Sequence, residues 1–264
     1  MRVKALASGS SGNAFLVQAG DTTVLVDAGI PLARLLPALA AAGVTPDQLT
    51  CLLLTHEHAD HLTAAAGLAR RFRVPILGSA GTLACLPGRV GERVCVTAGS
   101  QMRLGELSVT PFAIPHDGAQ PLGYVLEEGE TRICLATDLG HVPPELLSIF
   151  RSCELLIVEA NHDVQRLWNG PYPRFLKERV AAPTGHLSND QTAECLVACA
   201  SGAPQRVWLA HLSAVNNSPS SALRSVAQRL RRAEICTMQV EVALRDRPSL
   251  SWSSSDECFQ PRLL

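Results

Sequence analysis

Short apolar runs alternate with helical patterns along the whole chain. The opening predicts three successive strands, at residues 2–6, 14–17 and 22–27, separated by the glycine- and serine-rich stretch at 8–13 and by a turn at residues 19–21. Pro31 then stands where a helix can start, and four leucines from position 32 onward follow the i, i+3, i+4, i+7 spacing of a buried helix face. The pattern therefore predicts a sheet that begins as a meander and is covered by helices.

The same alternation continues to residue 242. Further strands are predicted at residues 51–55, 75–78, 93–97, 107–114, 124–127, 131–137, 154–160, 206–210 and 235–242. Helices are predicted at residues 63–72, 174–182, 189–201 and 220–231. The fold class is therefore α/β. We expect a single domain over residues 1–248 and an exposed, partly disordered tail over residues 249–264.

Composition indicates a globular protein that builds its own core. The chain has 264 residues, of which 47% are hydrophobic and 18% charged. Its formal net charge of −1 excludes binding to nucleic acid or membranes through a bulk basic field. The nine cysteines contain no C-x-x-C pair and predict buried free thiols. Without a signal peptide or an apolar run of about 18 residues, we expect a cytoplasmic protein with no membrane contact.

Four potential metal ligands stand within six residues, directly after the apolar strand predicted at residues 51–55: His56, His58, Asp60 and His61. Open α/β sheets place their sites at this edge. The first two can point to one ion and the last two to a second. Imidazole and carboxylate together suit Zn²⁺, Mn²⁺ or Fe²⁺. The helical H-E-x-x-H motif of zinc proteases is excluded, because the position four residues after His56 is Asp60.

Three further candidate ligands each follow a predicted strand. His116 comes after the strand at 107–114, Asp138 after the strand at 131–137, and His211 after the strand at 206–210. Since two ions need more ligands than one short segment offers, this coincidence strengthens the prediction of a two-metal site.

Seven motifs, in order, resemble the metallo-β-lactamase superfamily and, within it, the YycJ/WalJ branch. They are SGSSGN (8–13), THEHADH (55–61), PHD (115–117), TDLG (137–140), EANHD (159–163), GHLSND (185–190) and HLSAVNN (211–217). The resemblance implies a four-layer αββα sandwich. It further implies that His56, His58 and His116 hold one metal, that Asp60, His61 and His211 hold a second, and that Asp138 bridges them.

The branch is known for 5′-to-3′ exonuclease activity on DNA, so the resemblance implies a DNA exonuclease, with RNA a less favoured substrate. Hydroxide activated by two metal ions would attack phosphorus, oriented by Asp60 or Asp138. His186 precedes a capped helix and resembles a histidine that phosphodiesterase relatives place near the scissile phosphate. It is the candidate proton donor to the leaving oxygen.

Substrate contacts are expected from two segments. In the SGSSGN turn, Ser11 and Asn13 either contact an anion or belong to a hairpin that closes the site. His162 is expected to face the substrate, with Glu159 as its neighbour. The arginines at 70–73 and 224–232 fit a phosphate backbone or a solvated helix face, and Trp168 with Tyr172 is a candidate stacking surface for a base.

Four alternatives stay open. A small cyclic phosphodiesterase of the PhnP type fits the near-zero charge better than a processive nuclease does. An acyl hydrolase of the lactonase, glyoxalase II or β-lactamase type uses the same metal set but has no specific need for His186. A flavodiiron redox protein would have H-x-E where this chain has His56 and His58. A metal-stabilised regulator would bind the ions without turnover.

Overall fold

The computed structural model describes residues 1–88 and 90–255, which fall into two compact units. Unit 1 comprises Met1–Ala113, Gly118–Glu130 and the segment from Leu244, and unit 2 comprises Ile114–Asp117 and Thr131–Ala243.

The strands and helices follow one another along the chain with short connections. The strands are β1 (Arg2–Ala7), β2 (Ala14–Ala19), β3 (Thr22–Val26), β4 (Cys51–Leu53), β5 (Ile76–Gly78), β6 (Arg93–Cys95), β7 (Met102–Leu104), β8 (Leu107–Ala113), β9 (Leu122–Glu128), β10 (Thr131–Ala136), β11 (Leu155–Glu159), β12 (Gln205–Ala210), β13 (Met238–Val242) and β14 (Ser251–Ser253). The helices are α1 (Leu32–Ala41), α2 (Ala59–Leu62), α3 (Ala65–Phe72), α4 (Ala80–Ala84), α5 (Pro144–Arg151), α6 (Val164–Asn169), α7 (Arg174–Val180), α8 (Asn189–Cys199) and α9 (Pro219–Arg232).

Unit 1 is built on a sheet in the order β14-β1-β2-β3-β4-β5-β6. The pairs from β14 to β3 are antiparallel, and those from β3 to β6 are parallel. Strands β7, β8 and β9 pair with one another in antiparallel fashion. Apolar residues of the sheet, such as Leu25 and Leu52, form one buried cluster with Leu35 and Leu39 of α1 and Leu68 of α3. The sheet thereby fixes the ends of the parallel neighbours β3 and β4, where part of the candidate site lies.

Unit 2 is built on four parallel strands, β10 to β13, which pair in chain order. All five residues of β11 are buried, as expected for a parallel strand that is covered on both faces. Helices α8 and α9 pack against each other and bury apolar side chains such as Leu196 and Val226. The carboxyl ends of β10, β11 and β12 therefore lie side by side.

The predicted elements agree with the structure except at short or interrupted segments. The helix expected at residues 63–72 is α3, which begins at Ala65, and a separate short helix, α2, precedes it; the break between them coincides with a hydrogen bond from Ala64 N to Ala28 O (2.7 Å). Strands β7 and β14 and helices α4, α5 and α6 are not among the predicted elements. Each has three to eight residues, too few for a clear apolar period.

The start of the expected tail is folded, which corrects the prediction for residues 249–255. Within it β14 pairs with β1, and Trp252 is 7% exposed. The rest of the tail, residues 256–264, lies outside the described residues. The single domain over residues 1–248 stays a prediction.

The described cysteines are free thiols, as expected, but they are not all buried. Cys51, Cys134, Cys153, Cys195 and Cys199 are buried, whereas Cys85, Cys95 and Cys236 are exposed. Cys258 lies outside the described residues. Among the helices of the described residues, none is long and apolar enough to cross a membrane.

Candidate metal and catalytic site

In unit 1, the ends of β3 and β4 bring Asp27 next to the histidine-rich segment. The two strands pair in parallel with Val26 opposite Leu53, so the residues that follow them meet at one edge. The buried Asp27 carboxylate accepts hydrogen bonds from Thr55 N (2.9 Å) and Thr55 Oγ1 (2.9 Å) and lies 2.7 Å from His61 Nδ1. A carboxylate at Nδ1 holds the tautomer whose Nε2 lone pair can bind a metal. Asp27, which is not among the predicted site residues, therefore orients His61.

The four ligands predicted from the local motif are neighbours in unit 1. The ring centroid of His56 lies 4.6 Å from that of His58 and 4.1 Å from that of His61. An oxygen of Asp60 is 3.6 Å from His61 Nε2. The segment therefore concentrates three imidazoles and a carboxylate in one place.

Asn13 contacts this segment from the SGSSGN turn. Its side-chain nitrogen lies 3.1 Å from His61 Nε2, and its backbone nitrogen donates to Asp60 O (2.8 Å). Gly29 allows its own backbone to pack closely against that of Asp60, because a Cβ at position 29 would lie 1.6 Å from Asp60 O. Asn13 is buried while Ser11 is exposed. Of the two predicted substrate contacts, Asn13 thus lies against a ligand histidine, and Ser11 lies at the surface.

In unit 2, three site residues end three neighbouring parallel strands. Asp138 follows β10, Glu159 is the last residue of β11, and His211 follows β12. Asp138 and His211 adopt left-handed backbone conformations, with φ of 62° and 54°. Such conformations cost about 1–3 kcal/mol for a non-glycine residue and cluster at functional sites. The backbone is thus strained where it presents these two side chains.

Glu159 lies at the centre of this group. Its Oε2 accepts from Leu139 N (2.8 Å) and Leu187 N (3.1 Å), and its Oε1 lies 2.9 Å from His186 Nδ1 and 3.1 Å from His211 Nδ1. Burial alone would raise the pKa of this carboxyl, but the two histidines outweigh it and lower the pKa. Its carboxylate lies within hydrogen-bond distance of His186 and His211, whereas the expected neighbour His162 interacts with it only through its charge.

His186 combines a buried anchor with partial access to solvent. Its side chain is 21% exposed, and its Nδ1 faces Glu159. Burial disfavours the charged imidazole, but the charges of Glu159 and Asp138 outweigh burial and raise its pKa. These charges favour the protonated form of His186.

His116 lies beside this group in the same unit. Its Nδ1 is 3.1 Å from Gly185 O, and its Nε2 is 3.8 Å from Asp138 Oδ1. Burial lowers the pKa of His116, despite the nearby carboxylates. The neutral imidazole that results is the form that binds metals.

The donor atoms of unit 2 fit a divalent ion. Asp138, Glu159, His186 and His211 each offer one ligand atom, and these atoms all lie within 4.8 Å of one another. Carboxylate and imidazole are ligands of Zn²⁺, Mn²⁺ and Fe²⁺. Because Glu159 and His186 face each other, Asp138 and His211 are the better ligands of the four.

An asparagine network ties these strand ends together. Asn217 Nδ2 lies within hydrogen-bond distance of Ala160 O (2.8 Å), Asn161 O (3.1 Å) and Asn189 Oδ1 (2.8 Å). Asn161 Nδ2 donates to His211 O (3.0 Å). The network joins the end of β11, the start of α8 and the loop after β12. It is not among the predicted features, although all three asparagines lie in the family motifs.

Two other histidines have simpler surroundings. His162 is 3% exposed, and its backbone pairs with that of Ser188 in a short parallel β-bridge. Burial lowers the pKa of its imidazole to about 4. The His162 side chain is thus buried within unit 2, and its contact with substrate stays a prediction. His141 is exposed and lies 2.9 Å from Pro183 O through Nδ1.

Comparisons with known proteins support the resemblance over most of the chain. A family model described as a beta-lactamase superfamily domain matches residues 22–212. Exodeoxyribonuclease WalJ of Streptococcus pneumoniae serotype 2 is 30% identical over 237 residues, which cover 87% of this chain and 88% of that protein.

Solved structures agree on the fold. The metallo-beta-lactamase fold protein YhfI from Bacillus subtilis matches with a TM-score of 0.71 at 15% identity, covering 95% of this chain and 98% of that chain. Zn²⁺-bound PqqB from Methylobacterium extorquens matches with a TM-score of 0.71 at 16% identity, covering 96% and 100%. The αββα fold class predicted from the sequence is thus confirmed. This chain belongs to the metallo-β-lactamase superfamily, in the branch of its WalJ relative.

Proposed function

We propose that this protein is a metal-dependent phosphodiester hydrolase that degrades DNA as an exonuclease in the 5′-to-3′ direction. The observation that carries the proposal is the pair of His186 and Glu159, whose Nδ1 and Oε1 lie 2.9 Å apart beside Asp138 and His211. Glu159 holds the Nδ1 of His186, so Nε2–H is left to donate a proton.

The pair favours phosphodiesters because of their leaving group. The alkoxide expelled from a phosphodiester is strongly basic and needs a proton as the P–O bond breaks. The thiolate expelled from a thioester is far less basic and leaves without one. The charges of Glu159 and Asp138 raise the pKa of His186, which favours the protonated form that can donate. A thioester hydrolase would have no comparable use for this pair.

For the ions we propose the ligand set of the family motif: His56, His58, Asp60, His61, His116, Asp138 and His211. Two bound divalent ions, Zn²⁺ or Mn²⁺ with Fe²⁺ as an alternative, would supply a water of lowered pKa and stabilise charge on the phosphoryl oxygens. Asp60, with a side chain 22% exposed, is the proposed acceptor of a hydrogen bond from the attacking water. The histidines oriented by Asp27 and Glu159 support this assignment.

The name of the WalJ relative supports DNA as the substrate. We propose Ser11, Asn13 and His162 as the residues nearest the bound strand. A small cyclic phosphodiester is the second candidate, since the net charge of −1 gives no general attraction for a polyanion.

The proposal is tested by a substrate panel on protein loaded with Mn²⁺ or Zn²⁺. The panel contains single-stranded DNA, duplex DNA, RNA, bis-p-nitrophenyl phosphate, a cyclic phosphodiester and a thioester. We expect turnover of DNA, with nucleotides released from the 5′ end of end-labelled strands. Turnover of the thioester alone would refute the phosphodiesterase assignment, and turnover of the cyclic ester without DNA would favour the second candidate.

The proton-donor role of His186 is tested by the leaving-group dependence of His186→Ala. We expect a loss of about 100-fold or more on DNA and a much smaller loss on an aryl phosphodiester, whose leaving group needs no proton. Bound metal should stay at the wild-type level. An equal loss on both substrates would remove His186 as the proton donor.

A further inference from the structure

The segment from α6 to α7 exposes two aromatic side chains that the site does not use. Trp168 on α6 is 46% exposed and Phe175 on α7 is 71% exposed. The other exposed large apolar side chains in the described residues, Val94, Val215 and Leu223, are aliphatic and less exposed than either. Two exposed aromatic side chains on successive helices fit a binding surface better than a role in the core.

The same segment carries a local excess of positive charge. Residues 164–180 contain four basic side chains and one acidic one, in a chain whose net charge is −1, and one of the four, Arg179, pairs with Asp117 (2.7 Å). Arg174 pairs with Glu178 at the surface, where such a pair contributes little and can exchange for a phosphate. Arg166 is exposed on α6. Aromatic faces interspersed with cations are what a single nucleic-acid strand requires.

Hydrogen bonds connect this segment to the proton donor. Lys177 Nζ donates to Trp168 O (2.8 Å), which ties α7 to α6. His186 N donates to Val180 O (2.9 Å), at the end of α7. The end of α7 therefore lies next to His186, so a strand bound along α6 and α7 would pass toward the proposed proton donor.

We infer that this α6–α7 surface, formed by Arg166, Trp168, Arg174, Phe175 and Lys177, binds single-stranded DNA. Bases stack on Trp168 and Phe175, and the cations contact the phosphates. The inference rests on the proposed function and adds to it the path of the strand. Phe175 replaces Tyr172 of the predicted stacking pair, since Tyr172 is the less exposed of the two.

The test is the affinity of Trp168→Ala and Phe175→Ala for a fluorescein-labelled oligo(dT) of about 20 nucleotides, measured by anisotropy in EDTA. Removing one stacking side chain is worth about 1–3 kcal/mol, so each variant should bind about 10-fold more weakly. The matched control is Leu223→Ala on α9, which removes an exposed aliphatic side chain of the same unit and should leave the Kd within about twofold. Circular dichroism should show the fold of all three unchanged, because the side chains are exposed.

The phosphate contacts are tested by salt dependence. For Arg166→Gln and Lys177→Gln, the slope of log Kd against log salt should fall by about 0.7 per lost contact. If the wild type degrades DNA but the two aromatic variants bind oligo(dT) as tightly as it does, the inference is wrong while the proposed function stands. If the wild type neither degrades nor binds DNA, the proposed function itself fails. Tighter binding of oligo(U) than of oligo(dT), or a wild-type dimer that Phe175→Ala dissociates in sedimentation, would also overturn the inference.

Discussion

The predicted ligands of the two units are assembled in different ways. In unit 1 they come from six consecutive residues, held by one buried carboxylate, Asp27, at the end of the adjacent strand. In unit 2 they come from the ends of β10 and β12 and from the loop at 114–117, and a central carboxylate, Glu159, contacts two histidines and two backbone amides. The positions of the ligands in unit 1 thus depend on one local segment, whereas those in unit 2 depend on the register between parallel strands.

The largest effect that separates the two arrangements should come from Glu159→Gln. The amide loses the charge that favours the proton on His186, so at saturating metal, which offsets any weakening at His211, kcat on DNA should fall by about 100-fold, with much less change on an activated aryl ester. Glu154→Gln, just before the other end of the same strand, is the control and should keep wild-type kcat. Equal losses on both substrates would mean that Glu159 does not act through His186.

Asp27→Asn should instead weaken metal binding. Its carboxylate holds the Nδ1 of His61, and loss of such a partner typically costs 10–100-fold in metal affinity or activity. Titration with Mn²⁺ should show the affinity reduced by about 10-fold, and DNA hydrolysis should recover at saturating metal. Asp21→Asn, in the exposed turn before β3, is the control. If excess metal restores nothing, Asp27 has another role.

The contacts of Asp27 and Glu159 show which parts of the site could not be predicted from the sequence. The local motif at 56–61 and the residues that follow strands were predictable, because a strand end fixes the position of the next residue in the sheet. The partners of Glu159 were not, since which histidine its side chain meets depends on the folding of residues 164–187, whose helix α6 is too short for a periodic pattern. The exposure of Phe175 could not be predicted either, because the helix predicted at 174–182 does not show which of its side chains face solvent.

The asparagine network of unit 2 predicts a loss of stability. Asn217→Ala leaves Ala160 O without its bond from Asn217 Nδ2, in a buried position. Unsatisfied buried polar groups cost about 1–3 kcal/mol each, so we expect the free energy of unfolding in urea to fall by about 2 kcal/mol. Asn169→Ala, at the exposed end of α6, should change it far less. A variant as stable as the wild type would show that the network is not needed.

The smallest expected effect is on the pH dependence of stability, through His162. Its pKa is lowered from the ordinary 6.5 to about 4, so the unfolded chain binds the proton more readily and stability falls as the pH drops below 6.5. This contribution amounts to about 1 kcal/mol between pH 7.5 and 5.5, given 1.36 kcal/mol per pKa unit. Between pH 7.5 and 5.5, the free energy of unfolding of His162→Gln should therefore decrease by about 1 kcal/mol less than that of the wild type. An unchanged pH dependence would show that His162 does not titrate in this way.

The central claim is that ions held by these ligands drive DNA hydrolysis. It is tested most directly by stripping the protein of metal, titrating it with Mn²⁺, and measuring nucleotide release from single-stranded DNA together with the metal bound per chain. The account predicts no release without metal and a rise to a plateau at two ions per chain. Undiminished release from the metal-free protein, or a fully loaded protein that leaves DNA intact, would contradict it.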